Sequence, residues 1–164
     1  DGTRATGFVK YKKYTYYFNS FGSMVKGLRV INGKIYFFRE NGTMATGWKC
    51  LSKKVYYFTQ DGSAATGWTE INGSWYYFDG SGWMVTGWLK RPSGWYYLTG
   101  SGAMATGWVQ VGSTWYYMNG SGAMVTGWQT IDDQIYYFYP DGHKAVNEVI
   151  DGFYVDMNGV WKRP

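Results

Sequence analysis

A glycine returns every 20 residues, at Gly7, Gly27, Gly47, Gly67, Gly87, Gly107 and Gly127, without a slip in spacing. An unbroken period of this length means a repeat architecture, because each unit is one supersecondary element that buries its apolar surface only against its neighbours. The copy from Gly67 shows what the unit is. Trp68-Thr69-Glu70-Ile71 is followed by Asn72-Gly73, then Ser74-Trp75-Tyr76-Tyr77-Phe78, then Asp79-Gly80-Ser81-Gly82. Asn-Gly is the strongest short hairpin signal, since a type I′ turn needs positive φ at both central residues. The aromatic run favours strand, and the Asp/Gly/Ser cluster reads as a loop. Each unit is therefore one β-hairpin plus a connecting loop, and no segment has helical periodicity.

The turn sets the register. Ile71 faces Ser74, Glu70 faces Trp75, Thr69 faces Tyr76 and Trp68 faces Tyr77. Side chains alternate across a strand, so Trp68, Glu70, Trp75 and Tyr77 share one face, while Thr69, Ile71, Tyr76 and Phe78 share the other. The second face reads as core, and Tyr96 is assigned to the same face in the next unit. The first face holds three large aromatics, more than a solvated surface carries. If hairpins stack, first-face rings of consecutive units meet: Trp68 and Trp75 with Tyr97, Trp88 and Trp95 with Tyr117, Trp108 and Trp115 with Tyr137. Three ring faces around a small void attract a quaternary ammonium by cation–π and apolar contact. Inter-repeat packing is the plain alternative for any one ring. Against it, where the second tryptophan is lost (Thr15, Ile35, Val55, Ile135) the following Tyr-Tyr or Tyr-Phe pair persists, which separates a structural requirement from an optional one. Met84, Met104 and Met124 each stand 17 positions after the unit glycine and suit the gap between hairpins, where a flexible thioether fills irregular space beside rings.

Gly-Trp, then Trp-Tyr-Tyr, then Gly-x-Met, every 20 residues from Gly7 to about Gly142, resembles the choline-binding repeats of Gram-positive surface proteins and cell-wall lysins. The resemblance implies an all-β, left-handed β-solenoid of stacked hairpins. It implies a non-catalytic module that anchors its parent to the cell wall through choline or phosphocholine of teichoic and lipoteichoic acids. It places choline between consecutive hairpins, in cages of Trp68, Trp75 and Tyr97; Trp88, Trp95 and Tyr117; and Trp108, Trp115 and Tyr137, with Met84, Met104 and Met124 nearby. Poorer sites would use Trp48 with Tyr77, where Val55 leaves a wall missing, and Trp128 with Tyr154, where Ile135 does so. The units at Leu28/Ile35 and Phe8/Thr15 are weaker still. The family sometimes dimerises through terminal units, so a homodimer is an allowed state. The wider superfamily includes glucan-binding repeats and the receptor-binding repeats of large clostridial toxins. Aromatic rings stack on sugars too, so a glucan-binding module is the main competitor, and a structural adhesion rod is a third reading.

The chain 1–164 is read as a single repeat module, a fragment of a longer protein that opens inside a repeat, with an atypical cap over 147–164. It has no hydrophobic run long enough to span a membrane, and the expected setting is the bacterial cell surface. Residues 1–54 hold eleven basic and two acidic side chains, the rest five and nine. That basic half suits a polyanion, or lysine-protected strand edges. The lysines concentrate where tryptophans are scarce, which argues against stacking on single-stranded nucleic acid. His143 is the only histidine and Cys50 the only cysteine. The first reads as a solvated loop residue and the second as packing. No clustered ligand set suggests a metal, no cofactor is implied, and no paired carboxylates are set across a cleft as glycoside hydrolysis needs. Asp132-Asp133 reads as turn chemistry.

Overall fold

The computed structural model describes residues 4–162, and its regular elements there are all β-strands. Sixteen strands form eight antiparallel hairpins. β1 (Gly7–Tyr11) pairs with β2 (Tyr14–Phe18), β3 (Gly27–Ile31) with β4 (Lys34–Phe38), β5 (Gly47–Leu51) with β6 (Lys54–Phe58), and β7 (Gly67–Ile71) with β8 (Ser74–Phe78). These four belong to one compact unit, Asp1–Val85. The second unit, Thr86–Pro164, contains β9 (Gly87–Arg91) with β10 (Gly94–Leu98), β11 (Gly107–Val111) with β12 (Thr114–Met118), β13 (Gly127–Ile131) with β14 (Gln134–Phe138), and the shorter β15 (Glu148–Ile150) with β16 (Phe153–Val155). No helix among the described residues is long and apolar enough to cross a membrane.

The register is the one the turn chemistry requires: Trp68 faces Tyr77, Thr69 faces Tyr76, Glu70 faces Trp75 and Ile71 faces Ser74. Asn72 and Gly73 have φ of 52° and 78°, the paired positive values of a type I′ turn. Asp132 and Asp133 hold the same turn at 49° and 61°, so their role is conformational.

After β8 and β12 the loop is held by its first Asx side chain. Asp79 Oδ1 accepts the amides of Ser81 and Trp83 at 2.8 and 2.9 Å, and Asn119 Oδ1 those of Ser121 and Ala123 at 3.0 Å. Asp79 is thereby committed to its loop. The chain then lies beside its own second strand, with Val85 N donating to Tyr77 O and Val125 N to Tyr117 O.

Within each unit a further bond ties a loop to the hairpin before. Met44 N donates to Thr15 O, Ala64 N to Ile35 O and Met84 N to Val55 O in the first unit; Met124 N donates to Trp95 O, Lys144 N to Trp115 O and Trp161 N to Ile135 O in the second. In these six the acceptor is the residue before the Tyr-Tyr or Tyr-Phe pair, the position of the second tryptophan.

The core is local. Phe38, Phe58, Phe78, Leu98, Met118 and Phe138 end the second strands and are wholly buried. Around Phe138 lie Ile131 and Tyr136, with Trp108, Tyr117, Val125 and Val160 packed against them. Phe78, Ile71 and Ala65 form the equivalent cluster in the first unit, covered by Tyr57, Tyr76 and Met84. The face assigned to core is thus the buried one, and Tyr96 is buried with it. Cys50 departs from expectation: it is exposed and free rather than packed, because it sits on the first face opposite Val55, where no large ring covers it.

Candidate functional site

The second tryptophans are not consumed by packing. Trp75, Trp95 and Trp115 remain 43%, 40% and 39% exposed, although a ring of this size is ordinarily well covered in a folded protein. Each stands on a second strand, one residue before the Tyr-Tyr pair, and Trp95 and Trp115 line the junction with the following hairpin.

At the first such junction within the second unit, Trp88, Trp95, Tyr116, Met124 and Asp141 line a cavity of about 310 Å³. Trp88 and Trp95 meet edge to face at 6.3 Å, and Trp88 meets Tyr116 at 4.7 Å, 71° between planes. Three mutually tilted rings leave a corner whose walls are π faces and ring edges. The thioether of Met124 is placed there by the bond from its own amide to Trp95 O. Its side chain lies over the αL glycine of the next loop: a Cβ on Gly142 (φ 87°) would overlap Met124 Sδ.

The third ring corrects the sequence reading. Tyr117 does not join Trp88 and Trp95; it packs edge-on to Trp108 of its own hairpin at 5.2 Å and lies 6.5 Å from Phe138 in the core. The same one-residue correction recurs. Trp108 meets Tyr136 at 4.8 Å, while Tyr137 lies edge-on to Trp128. Trp48 meets Tyr76 at 5.0 Å, while Tyr77 lies edge-on to Trp68. Trp128 meets Phe153 at 5.9 Å, while Tyr154 turns its hydroxyl to Asn147 Oδ1. Tyr97 likewise lies edge-on to Trp88, its cross-strand partner. A following hairpin presents its second face to the preceding tryptophans, not its first, so the tyrosine assigned to core carries the wall. The Trp68, Trp75 and Tyr97 set is divided between the two units; Trp68 and Trp75 lie on one hairpin, opposite Tyr77 and Glu70.

Two of the methionines stand at a junction with the preceding hairpin: Met124 lines the Trp88/Trp95 cavity, and Met84 bonds to Val55 at the Trp48 junction. Met104 lies over Gly122 and does not line the cavity of Trp88 and Trp95.

Two charged groups were missed. Asp141, far along the chain, reaches the rim of the Trp88/Trp95 cavity. It pairs with His143 Nδ1 at 2.5 Å, and the His143 ring stacks on Tyr139 at 4.3 Å, so that histidine is engaged rather than merely solvated. The hydrogen bond from His143, with its backbone amide second, holds the Asp141 carboxyl below the usual range. The other is Lys144, which stands at the methionine position of the next junction. There, Trp108, Trp115, Tyr136, Lys144, Val146, Met157 and Asn158 line a wider cavity of about 510 Å³. The only signal for either was position within the period: Asp141 and Lys144 follow Gly127 by the offsets that place Ser121 and Met124 after Gly107.

At the last junction Trp128, Ile135, Phe153 and Trp161 enclose about 270 Å³ without a charged side chain. Trp161 occupies the methionine position there, its amide bonded to Ile135 O. A ring from the cap thus stands beside Ile135, where the second tryptophan is missing.

A model of the choline-binding repeat matches residues 5–46, 25–65, 45–80, 65–106, 105–148 and 125–155. The chain belongs to the choline-binding repeat family. Choline binding protein F from Streptococcus pneumoniae, solved in the presence of a peptidoglycan analogue, is similar over 97% of this chain and 58% of its own, at 40% identity and a TM-score of 0.92. CbpF in complex with ipratropium by soaking is similar at 38% identity, TM-score 0.90, over 97% of this chain and 60% of that one. The choline-binding domain of CbpL from Streptococcus pneumoniae matches over 98% of both chains at 31% identity and a TM-score of 0.63. No curated protein sequence matches the chain. The chain spans under two thirds of the length of choline binding protein F. Its choline-binding repeats are all-β hairpins with aromatic clusters at their junctions.

Proposed function

We propose that this chain is a non-catalytic module that holds a parent protein on the bacterial wall by binding the choline of teichoic acids, with the best-formed seat at Trp88, Trp95, Tyr116 and Met124. The observation that supports this most is the exposure of Trp95, 40%, at a corner closed by two other rings. Buried packing would have covered it. A trimethylammonium group has no hydrogen-bond donor and needs only ring faces and apolar contact, which this corner offers. Asp141 at the rim adds a fixed negative charge on the side from which a cation enters. Lys90 Nζ stands 5.5 Å from the Trp95 ring but does not line the cavity.

The remaining ring sets rank by their rings. Trp68 and Trp75 repeat the two-tryptophan pair on the single hairpin β7/β8. Trp48 with Tyr76 is poorer, since Val55 stands for the second tryptophan. The Trp128 junction has Phe153 and Trp161 instead of Tyr154. Each seat is weak alone, and several seats on one chain facing a polymer with many cholines gain avidity through effective concentration. Ipratropium carries a quaternary ammonium, so the likeness to CbpF fits this ligand class.

The test is a titration with choline followed by tryptophan fluorescence. Trp95→Ala is expected to remove about 1–2 kcal/mol from one site, roughly a 5- to 30-fold loss of affinity. The whole chain is expected to leave a choline-substituted resin on adding free choline. Retention on dextran with no displacement by choline would overturn this reading in favour of a glucan-binding module.

A further inference from the structure

The Trp108/Trp115/Tyr136 junction has the rings of a choline seat, yet it already contains a cation. Lys144 Nζ lies 5.3 Å from the Trp108 ring centroid and 5.8 Å from that of Tyr136. Its amide bonds to Trp115 O, as that of Met124 does to Trp95 O, so the backbone delivers the side chain to the junction. The stem takes the methionine's packing place: a Cβ on Gly159 would stand 3.0 Å from Lys144 Cδ and Cε. The ammonium is then held by Asn158 O at 2.7 Å. Among the described residues no carboxylate oxygen pairs with it directly, and Asp156 acts on it only through longer-range attraction. Asp156 Oδ1 accepts the amides of Asn158 and Val160, and Oδ2 pairs with Lys162 at 3.3 Å.

We propose that Lys144 is a resident cation that closes the Trp108/Trp115/Tyr136 cage to quaternary ammonium ligands and so decides which junctions of Thr86–Pro164 bind. This rests on the choline reading of the Trp88 junction. An incoming cation must share the same ring faces with the ammonium, and two like charges a few ångströms apart repel by an amount that weakens binding about tenfold or more in a partly exposed cleft. At the Trp88 junction the corresponding residue is a neutral thioether, and the charged group that lines the cavity is the Asp141 carboxylate, while Lys90 stays outside it, 5.5 Å from the Trp95 ring. The two cages are alike in rings and opposite in charge.

Isothermal titration with choline counts the sites in the whole chain and in four variants: Lys144→Met, Trp115→Ala, Lys144→Met/Trp115→Ala and Trp95→Ala. Lys144→Met is expected to add one site, with the double variant losing that gain and Trp115→Ala alone losing none. Loss of a site in Trp115→Ala, or no gain in a folded Lys144→Met, overturns the proposal. Phosphocholine binding at least tenfold tighter than choline in a Lys144-dependent manner overturns it as well, because the lysine would then be recruiting the phosphate. Trp95→Ala separates the two readings: if it changes nothing, the choline assignment of the Trp88 junction has failed. A ligand-free measurement then decides the lysine alone. Its methylene protons are expected upfield, shifted by the Trp108 ring current, and random-coil shifts would overturn its placement.

Discussion

Tyr116 and Tyr117 are adjacent, chemically identical and differently employed. Tyr116 walls the Trp88/Trp95 cavity, while Tyr117 lies between Trp108 and the core around Phe138. Tyr116→Ala is therefore expected to lower choline affinity at that site about tenfold with a modest change in stability. Tyr117→Ala is expected to cost about 3 kcal/mol of stability through the cavity it leaves. Fluorescence titration beside urea denaturation of both variants separates the roles. Asp141 makes a second test at this scale. Its carboxyl is held below the usual range by His143, so it stays ionised from neutral pH down through the ordinary carboxylate region. Asp141→Asn is expected to weaken choline binding two- to threefold, a screened rim interaction. The gap between the two proteins is expected to persist at pH 5 and to close only below the ordinary aspartate range. Spacing alone showed that position 10 and position 11 of the unit are both tyrosine. Which of them faces a ligand depends on how one hairpin is turned against the next, and alternation within a single hairpin does not contain that angle.

The hairpin and its loop are the elements most legible in the chain. Asn72-Gly73 set the turn and thereby the whole register of β7 and β8, since a two-residue I′ loop leaves no freedom in pairing. Less legible was the left-handed glycine inside each following loop. Gly142 combines φ of 87° with the Met124 side chain lying where a Cβ would go. Gly142→Ala is expected to destabilise the unit by about 1–3 kcal/mol and to loosen the Trp88 cage by displacing Met124, read as a lower melting temperature together with weaker choline binding. In the loop at Asp61, hydrogen bonds from Ser63 Oγ and Thr59 Oγ1, both 2.6 Å, and from Ser63 N hold the carboxyl far below its ordinary value. A folded pKa below the unfolded one stabilises above the unfolded value and is lost as pH falls through the folded one. The ionised Asp61 is therefore expected to support its loop at pH 5–7 and to lose that support in strong acid. Asp61→Asn is expected to lessen the acid sensitivity of Asp1–Val85, measured as urea midpoints at pH 6 and pH 2.5.

At the scale of the whole chain, stability is distributed along each unit, because the clusters around Phe38, Phe78 and Phe138 each combine their own hairpin with rings of the preceding one, Tyr17, Tyr57, and Trp108 with Tyr117. Phe38→Ala is expected to cost about 3–5 kcal/mol in Asp1–Val85 while the choline affinity of the folded protein at the Trp88 junction is unchanged, since all the rings of that seat lie in Thr86–Pro164. A 20-residue period, an Asn-Gly turn and alternating aromatics were by themselves enough to determine the repeat, the hairpin, its register and its buried face, because these follow from bonding within a single unit. Only the tertiary structure decided that Tyr116 rather than Tyr117 completes the cage, that Met124 comes from one unit further on, and that Lys144 fills the next cage while Asp141 edges the first. Those contacts join residues 21 to 53 positions apart, and the bonds from Met124 and Lys144 back to the preceding hairpin, invisible in any one copy of the repeat, are what bring them together.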